Sequence, residues 1–491
     1  MSHEIRANYD EQFLLPPSLE EWVAGDHPVR FIRVFVDALD MKVLGFKERE
    51  SEEGRPNYAS DLLLKVWLYG YFERIYSTRA LEKACKMQLP IIWLTGMNYP
   101  DHNTLWRFFR ENRQVIRNVF KQSVRVALKG EMVGLVLQAV DGTKIRADVS
   151  QQRSINADDL KKLLRRLNGA AEEVCGKIES NEREESGDPE YKLPEKLQDK
   201  ERLQRLIQDG LDEMSEDDKR EMKEAAERSL GQMETTGIKH LSVTDGESRM
   251  MKNAGLIRFS YNAQVVVDEK ARIIVASEVT VDESDNHQLT GMIDQAKENT
   301  GKVAEETVGD GGYFSGEELH EAAKKEYPVL VNLPERVQEG GEFGKDKFKY
   351  DERNDRYICP QGGVLEFERE KQSGRHKNYK VNVYRCRQWR SCPLKDRCSK
   401  DKRGRGIERS EYDASIERQI EKQRDDHRRK LLRRRGEIVE PVFGWVKGIN
   451  KFLRWTFRGK ESVNAQWQLI CTVINLKKLH KQWLEGNLKL G

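Results

Sequence analysis

Three patterns predict an α/β protein built on a mixed β-sheet flanked by helices. Short apolar or alternating runs at 133–145, 257–268 and 271–282 end in turn residues and read as strands. Apolar residues at helical spacing lie on both sides of those runs. Two long stretches interrupt the order. Residues 151–235 are rich in Lys, Arg, Glu and Leu, and residues 341–405 are polar and carry cysteines. A chain of 491 residues is long enough for about two to four domains with at least one large core.

In chain order, residues 1–125 read as a helical domain. "ASDLLLKVWLYGYFERIYSTRALEKACK" repeats apolar residues at helical spacing, at Leu62, Leu63, Val66, Trp67 and Tyr71. "YPDHNTLWRFFRENRQVIRNVFKQSV" reads as one helix capped by Asp101 or Asn103 and presenting Arg107, Arg110 and Arg113. The run "GLVLQAVDGTKIRAD" reads as a buried strand with Asp141 at its exit, followed by Gly142, Thr143 and Lys144. Residues 151–235 predict a helical hairpin or coiled coil, with apolar positions Leu160, Leu163, Leu164, Leu167 and Ala171, broken near "SGDPEYKLP". The runs "IRFSYNAQVVVD" and "ARIIVASEVTVD" predict a β-hairpin. "SDNHQLTGMIDQAKENTG" predicts a helix, "VAEETVGDGGYFSGEELHEAAKK" strand, turn and helix, and "YPVLVNLP" a last strand. The core is thus expected at 130–150 and 236–340, in the order β, insert, β, β, α, β, α, β. Residues 406–491 complete it with a basic helix, a helix from "VEPVFGWVKGINKFLRW" whose first turn accepts Pro441, and an apolar-faced terminal helix.

Charge sharpens the reading. Net charge is only +3, but residues 395–460 hold 21 Lys and Arg against 11 Asp and Glu. A basic tract in a near-neutral chain suits a polyanion partner, and equally a solvated helix face. "MSHEIRANYDEQF" lacks the apolar core of a signal peptide, and no run of about 18 apolar residues exists, so the chain is expected in the cytoplasm and off the membrane. Seven cysteines fit a reducing compartment.

Three acids stand out. Asp141 ends a strand before Gly142, Asp310 ends another before Gly311 and Gly312, and Glu440 precedes Pro441. Lys447, seven residues after Glu440, falls on the same helical face two turns on. Carboxylates gathered in this way stay ionised together when a divalent cation joins them. Mg²⁺ or Mn²⁺ with phosphate as co-ligand is the chemistry such a set suits. Asp141 or Asp310 alone reads more readily as a solvated strand end and Glu440 alone as a salt-bridge partner of Arg433–Arg435, while Asp245, Asp268 and Asp282 compete for the role. The order of strands, helices and acids is more specific than any single member.

The segments "PDHNTLWRFFREN", "AVDGTKIRADVS", "TDGESRMMKN", "YNAQVVVD", "VGDGGYFS" and "VEPVFGWVKG" together resemble DDE transposases of bacterial insertion sequences, most closely the 1182-type insertion-sequence group. The resemblance runs along nearly the whole chain. It implies an RNase H-like catalytic core with Asp141, Asp310 and Glu440 as the triad and Mg²⁺ or Mn²⁺ ligands, and an N-terminal domain that binds transposon ends. It implies metal-dependent hydrolysis that frees a 3′-OH, which then attacks a target phosphodiester. The partners implied are double-stranded DNA and a second copy of the chain on it, in a bacterial cytoplasm. Lys144, Arg107, Arg110, Arg433, Arg434, Arg435 and Lys447 are the candidate DNA contacts. Related transposases place an Arg four residues before the Glu and a Tyr further upstream. Those slots hold Gly436 and Arg433 here, so Arg434 or Arg435 is expected to substitute from a shifted turn. A DNA-binding repressor without catalysis and an RNase H-like nuclease without strand transfer remain the competing readings.

Cys359, Cys386, Cys392 and Cys398 follow one another at intervals of 27, 6 and 6. Four thiolates suit a structural Zn²⁺, but no C-x-x-C pair is present, and reduced cysteines in a small β-insert fit as well. Cys85, Cys175 and Cys471 are expected to pack, His102 and His287 to cap or pack, and Trp445, Trp455 and Trp467 to lie in cores.

Overall fold

A computed structural model of the chain describes residues 18–47, 57–149, 154–172, 216–237, 239–242, 244–253, 255–334, 342–373 and 379–489. The "SGDPEYKLP" break and Cys175 lie outside the described residues. The chain divides into two compact units, Met1–Glu131 with Thr456–Gly491, and Met132–Trp455.

The first unit is helical. Its centre is the helix Ser60–Phe72, in which every residue from Leu63 to Phe72 is buried, as an element apolar on all sides must be. Asp101 caps the helix His102–Glu111 by accepting the Thr104 N–H at 2.7 Å. The single helix expected across this region is two. Asn112 leaves helical geometry (φ −114°, ψ 17°), its amide donates to the Phe108 carbonyl at 2.8 Å, and a second helix runs Arg113–Lys129. The terminal helix Lys460–Leu484 belongs to this unit, where it packs against Arg113–Lys129 and Ser60–Phe72. Gln466 donates to the Tyr71 hydroxyl at 2.8 Å and Asn475 to the Ser123 hydroxyl at 3.2 Å. Residues 406–491 therefore do not complete the core as a whole. Trp467 and Cys471 on this helix are buried, as is Cys85, whereas Trp455 is buried in the second unit.

The second unit holds the sheet. Its strands are β1 (Leu137–Arg146), β2 (Ser154–Asn156), β3 (His240–Ser242), β4 (Arg249–Asn253), β5 (Leu256–Asp268), β6 (Ile274–Thr280), β7 (Glu306–Gly309) and β8 (Val329–Val331). β1 pairs antiparallel with β5 and parallel with β7, and β7 is parallel to β8. β5 and β6 form the expected hairpin. β4, not foreseen, shares the far edge of β5 with β6: Ser260 faces Arg249 on that edge and Arg146 on the other, and Asn262 faces Thr280 and Lys144. The order β6-β5-β1-β7-β8 makes this a mixed sheet consistent with an RNase H-like DDE domain, with the helix Leu289–Thr300 against β5 and β6.

Both insertions carry cores of their own. The helices Ala157–Glu172 and Glu216–Thr236 pair as a hairpin, Leu160, Leu163, Leu164 and Leu167 packing on Met222, Ala225, Ala226 and Met233. Antiparallel β2 and β3 close its base. The cysteine-bearing insertion is a five-stranded antiparallel sheet, β9 (Lys349–Asp351), β10 (Arg356–Ile358), β11 (Val364–Gln372), β12 (Lys380–Cys386) and β13 (Gly406–Ser410), around Phe348, Tyr357, Leu365, Tyr384 and Ile407.

The basic tract is two helices, Asp413–Lys422 and Asp426–Gly444, the second capped by Asp425, which accepts the His427 N–H at 3.0 Å. Pro441 was expected in a first turn. It lies instead near the end of a helix that began fifteen residues earlier. Proline cannot donate to the carbonyl four residues back. That carbonyl, of Glu437, accepts from Arg272 Nε at 3.1 Å, so the acceptor that Pro441 leaves unused is taken by another donor.

Candidate active site

Asp141 is not at the exit of its strand. β1 continues to Arg146, and Asp141 pairs with Val265 of β5. Only the β7 side ends there. The last parallel pair is Ala139 with Val308, and two residues beyond each stand Asp141, on β1, and Asp310, just past the end of β7. Adjacent strands lie about 4.8 Å apart, which brings the two carboxylates side by side. Gly309 lets β7 come close, since a Cβ there would lie 3.2 Å from Val140 Cγ1. Asp310 then caps a short 3₁₀ turn, Gly311–Tyr313, its Oδ1 accepting the Gly312 N–H at 2.8 Å. Asp141 accepts the Gly142 N–H at 2.8 Å through Oδ1 and an N–H of Arg435 at 2.5 Å through Oδ2. Burial pushes the Asp141 carboxyl up to about 6. Arg435 opposes that rise and the neighbouring Asp310 charge adds to it.

Glu440 does not stand with them. In an α-helix the positions i, i+3, i+4 and i+7 share a face. Arg435, Ile438, Val439 and Val442 make such a row. The three apolar members are buried, the helix packs on β1 and β7, and Arg435 reaches Asp141. Glu440 is off that row and exposed, and its carboxylate turns back over Gly436, where a Cβ would lie 2.9 Å from Oε1. Gly436 thus accommodates the Glu440 side chain, and Arg435 reaches Asp141.

The other basic candidates divide. Arg434 pairs with Glu269, and Arg433 is exposed. Lys447 lies in a π turn, Trp445–Ile449, where its ammonium donates to the Lys144 carbonyl at 3.0 Å and burial lowers its pKa. Lys144 stands 3.5 Å from an oxygen of Asp285. In the helical unit Arg107 and Arg110 are exposed, whereas Arg113 is tied to the Ser462 hydroxyl and Glu461.

The competing acids have structural roles. Asp245 accepts from the Tyr261 hydroxyl at 2.7 Å. Asp268 accepts the N–H groups of Gly134 and Leu135 at 2.9 and 2.8 Å, and Asp282 accepts from Gln288 at 2.7 Å. The residues that sequence reasoning missed are Asp285, Asn262, Gln264 and Tyr313. One signal was present: Ser260, Asn262 and Gln264 follow one another on one face of β5, opposite Phe259, Tyr261, Ala263 and Val265.

In kind, the oxygens of Asp141 and Asp310 suit a hard divalent cation. Among the described residues, however, no group of three or more His, Cys, Asp or Glu side chains is arranged to hold a metal ion. Arg435 occupies one oxygen of Asp141, and Glu440 lies off the facing row. The same holds for the cysteines. Cys359, Cys386 and Cys398 pack on the core of the small sheet. Cys359 Sγ accepts the Gly363 N–H at 3.1 Å, and burial raises the Cys386 and Cys398 thiols. Cys392 is half-buried. His102 bonds through its ring and its N–H to Glu82, at 2.7 and 3.1 Å, while His287 is exposed.

No curated protein matches the chain. Residues 17–111 match the family described as Transposase domain (DUF772), and residues 358–480 match the family described as Transposase DDE domain. The second segment includes Glu440 and Lys447; Asp141 and Asp310 lie outside both. Matches to a transposase domain near the N-terminus and to a transposase DDE domain toward the C-terminus are the pairing typical of bacterial insertion-sequence transposases, and this chain matches both.

Proposed function

We propose that the chain is the transposase of an insertion sequence, cutting DNA at the element's ends and joining the freed 3′-OH to a target, with Asp141, Asp310 and Glu440 as its acids. The observation that carries the reading is the level placement of Asp141 and Asp310 where the parallel pairing of β1 and β7 stops. Asp141 and Asp310 would hold a divalent cation, Mg²⁺ or Mn²⁺, which when bound supplies charge stabilisation for the attacking and leaving oxygens. Arg435 places positive charge on Asp141, and Lys144 follows three residues further along β1, where a DNA phosphate would be oriented. Glu440 joins the pair only by leaving its position over Gly436. Arg107, Arg110 and Arg433 contact phosphate backbone, the helical unit binds the element's ends, and two copies act together on DNA. The ion pair of Arg435 with Asp141 favours a second reading, a DNA-binding repressor that does not cut.

Incubating the full chain with a duplex bearing the element's end and Mg²⁺ or Mn²⁺ separates the readings. A transposase yields a nick with a 3′-OH and a joined donor–target product, both absent for Asp310→Asn. Retarded but uncut DNA in either metal would establish the repressor, and nicks without any joined product the nuclease.

A further inference from the structure

We propose that Asp285 is a positioning residue of this site, holding Lys144 near the turn that follows Asp310, and that residue 142 is glycine to make room for it; the inference rests on the reading of the Asp141–Asp310 pair as the reacting acids. Asp285 lies between β6 and the helix Leu289–Thr300. Its Oδ1 accepts from Gln264 Nε2 at 2.6 Å and from Asn262 Nδ2 at 2.7 Å, and its Oδ2 stands 3.5 Å from Lys144 Nζ. Gln264 is itself held, since its carbonyl oxygen accepts from the Tyr313 hydroxyl in the turn after Asp310. Asn262 and Gln264 are fully buried.

Register explains the convergence. Gln264 pairs with Gly142 and Asn262 with Lys144, so these four positions share one face of the β1–β5 ladder. A Cβ at 142 would lie 2.3 Å from Gln264 Nε2 and 2.8 Å from Asp285 Oδ1. Both contacts are too close, and both atoms are fixed by hydrogen bonds. A Cβ at Gly312 would lie 2.9 Å from Asp310 Oδ1 and 3.4 Å from Asp285 Oδ2. Asp285 therefore sits against the glycine that follows Asp141 and against the turn that follows Asp310. A carboxylate that receives two amide donors and faces an ammonium is a charge-assisted bracket, stiffer than neutral bonds would make it. What it fixes is the direction of Lys144.

Asp285→Asn tests the claim, because asparagine keeps the Oδ1 acceptor for both amides and removes the charge that faces Lys144. Nicking of the element-end duplex by the full chain is measured for wild type, Asp285→Asn, Lys144→Met and the double variant, with KM, kcat and Tm for each. Expected are an unchanged Tm, a KM close to wild type, and a kcat lowered at least ~10-fold in each single variant. The double variant should fall no further than the lower single, since the two residues act as one unit. Wild-type kcat in Asp285→Asn, or fully additive losses, would overturn the proposal. If Asp285→Asn does not fold, Lys144→Met decides alone, and an unaltered kcat there overturns it. A wild-type chain that never nicks removes the transposase reading itself, which is a different result from a nicking wild type and an equally active Asp285→Asn.

Discussion

Asp141 shows what one carboxylate loses by being placed under a helix. Its carboxyl is pushed up to about 6, chiefly by burial, from an ordinary 3.8. The folded chain therefore binds this proton more tightly than the unfolded chain does. The stability tied to the neutral acid is fully present below about pH 3.8 and is lost as pH rises through about 6. A shift of two pKa units corresponds to about 3 kcal/mol at most. Asp141→Asn is accordingly expected to stabilise the sheet unit by up to about 3 kcal/mol at pH 7 and not at all below pH ~4, measured by urea unfolding with hydrogen exchange on β1 as the local probe. A less stable variant at pH 7 would mean that the bond to Arg435 outweighs desolvation. Asp141 and Asp310 were legible because each follows a short apolar run and precedes a glycine, which is local information. Asp285 was not, because its partners become neighbours only through the register of β1 with β5. Glu440 was legible as a residue, but the direction of its side chain depends on which row of its helix faces the sheet.

The helix Asp426–Gly444 makes the same point for an element. Its basic sequence predicts a helix, and its apolar row at 438, 439 and 442 extends back one turn to Arg435. That extension could have been read, and it names the arginine that reaches β1. The position of Pro441 could not, because a proline inside a helix needs another donor for the carbonyl it leaves free, and that donor is Arg272. A hydrogen bond of this kind contributes about 0.5–1.5 kcal/mol. Arg272→Ala should cost that amount, and the cost should vanish in a Pro441→Ala background, where the helix supplies its own N–H to Glu437. A double-mutant cycle on thermal unfolding reads the coupling, and additive effects would show that Arg272 stabilises something else.

At the scale of the whole molecule the two ends of the chain share a core. The helix Lys460–Leu484 buries Trp467, Leu469, Ile470, Val473, Ile474, Leu476 and Leu479. Each such side chain is worth roughly 1.5–3 kcal/mol, which together rivals the ~5–15 kcal/mol that holds a typical domain folded. Removing residues 456–491 should therefore unfold the N-terminal helices and leave the sheet unit protected, as mapped by hydrogen exchange. Retained protection of Ser60–Phe72 would show that those helices fold without it. By itself the amino-acid sequence determined the kinds of element, the strand-borne aspartates and the transposase resemblance, since periodicity, caps and glycines act over a few neighbours. Only the tertiary structure decided that Arg435 reaches Asp141, that Asp285 is held by Asn262 and Gln264, that Glu440 folds back over Gly436, and that the last helix joins the first ones. Those outcomes depend on strand register and on which faces are covered, and residues far apart in the chain settle both together.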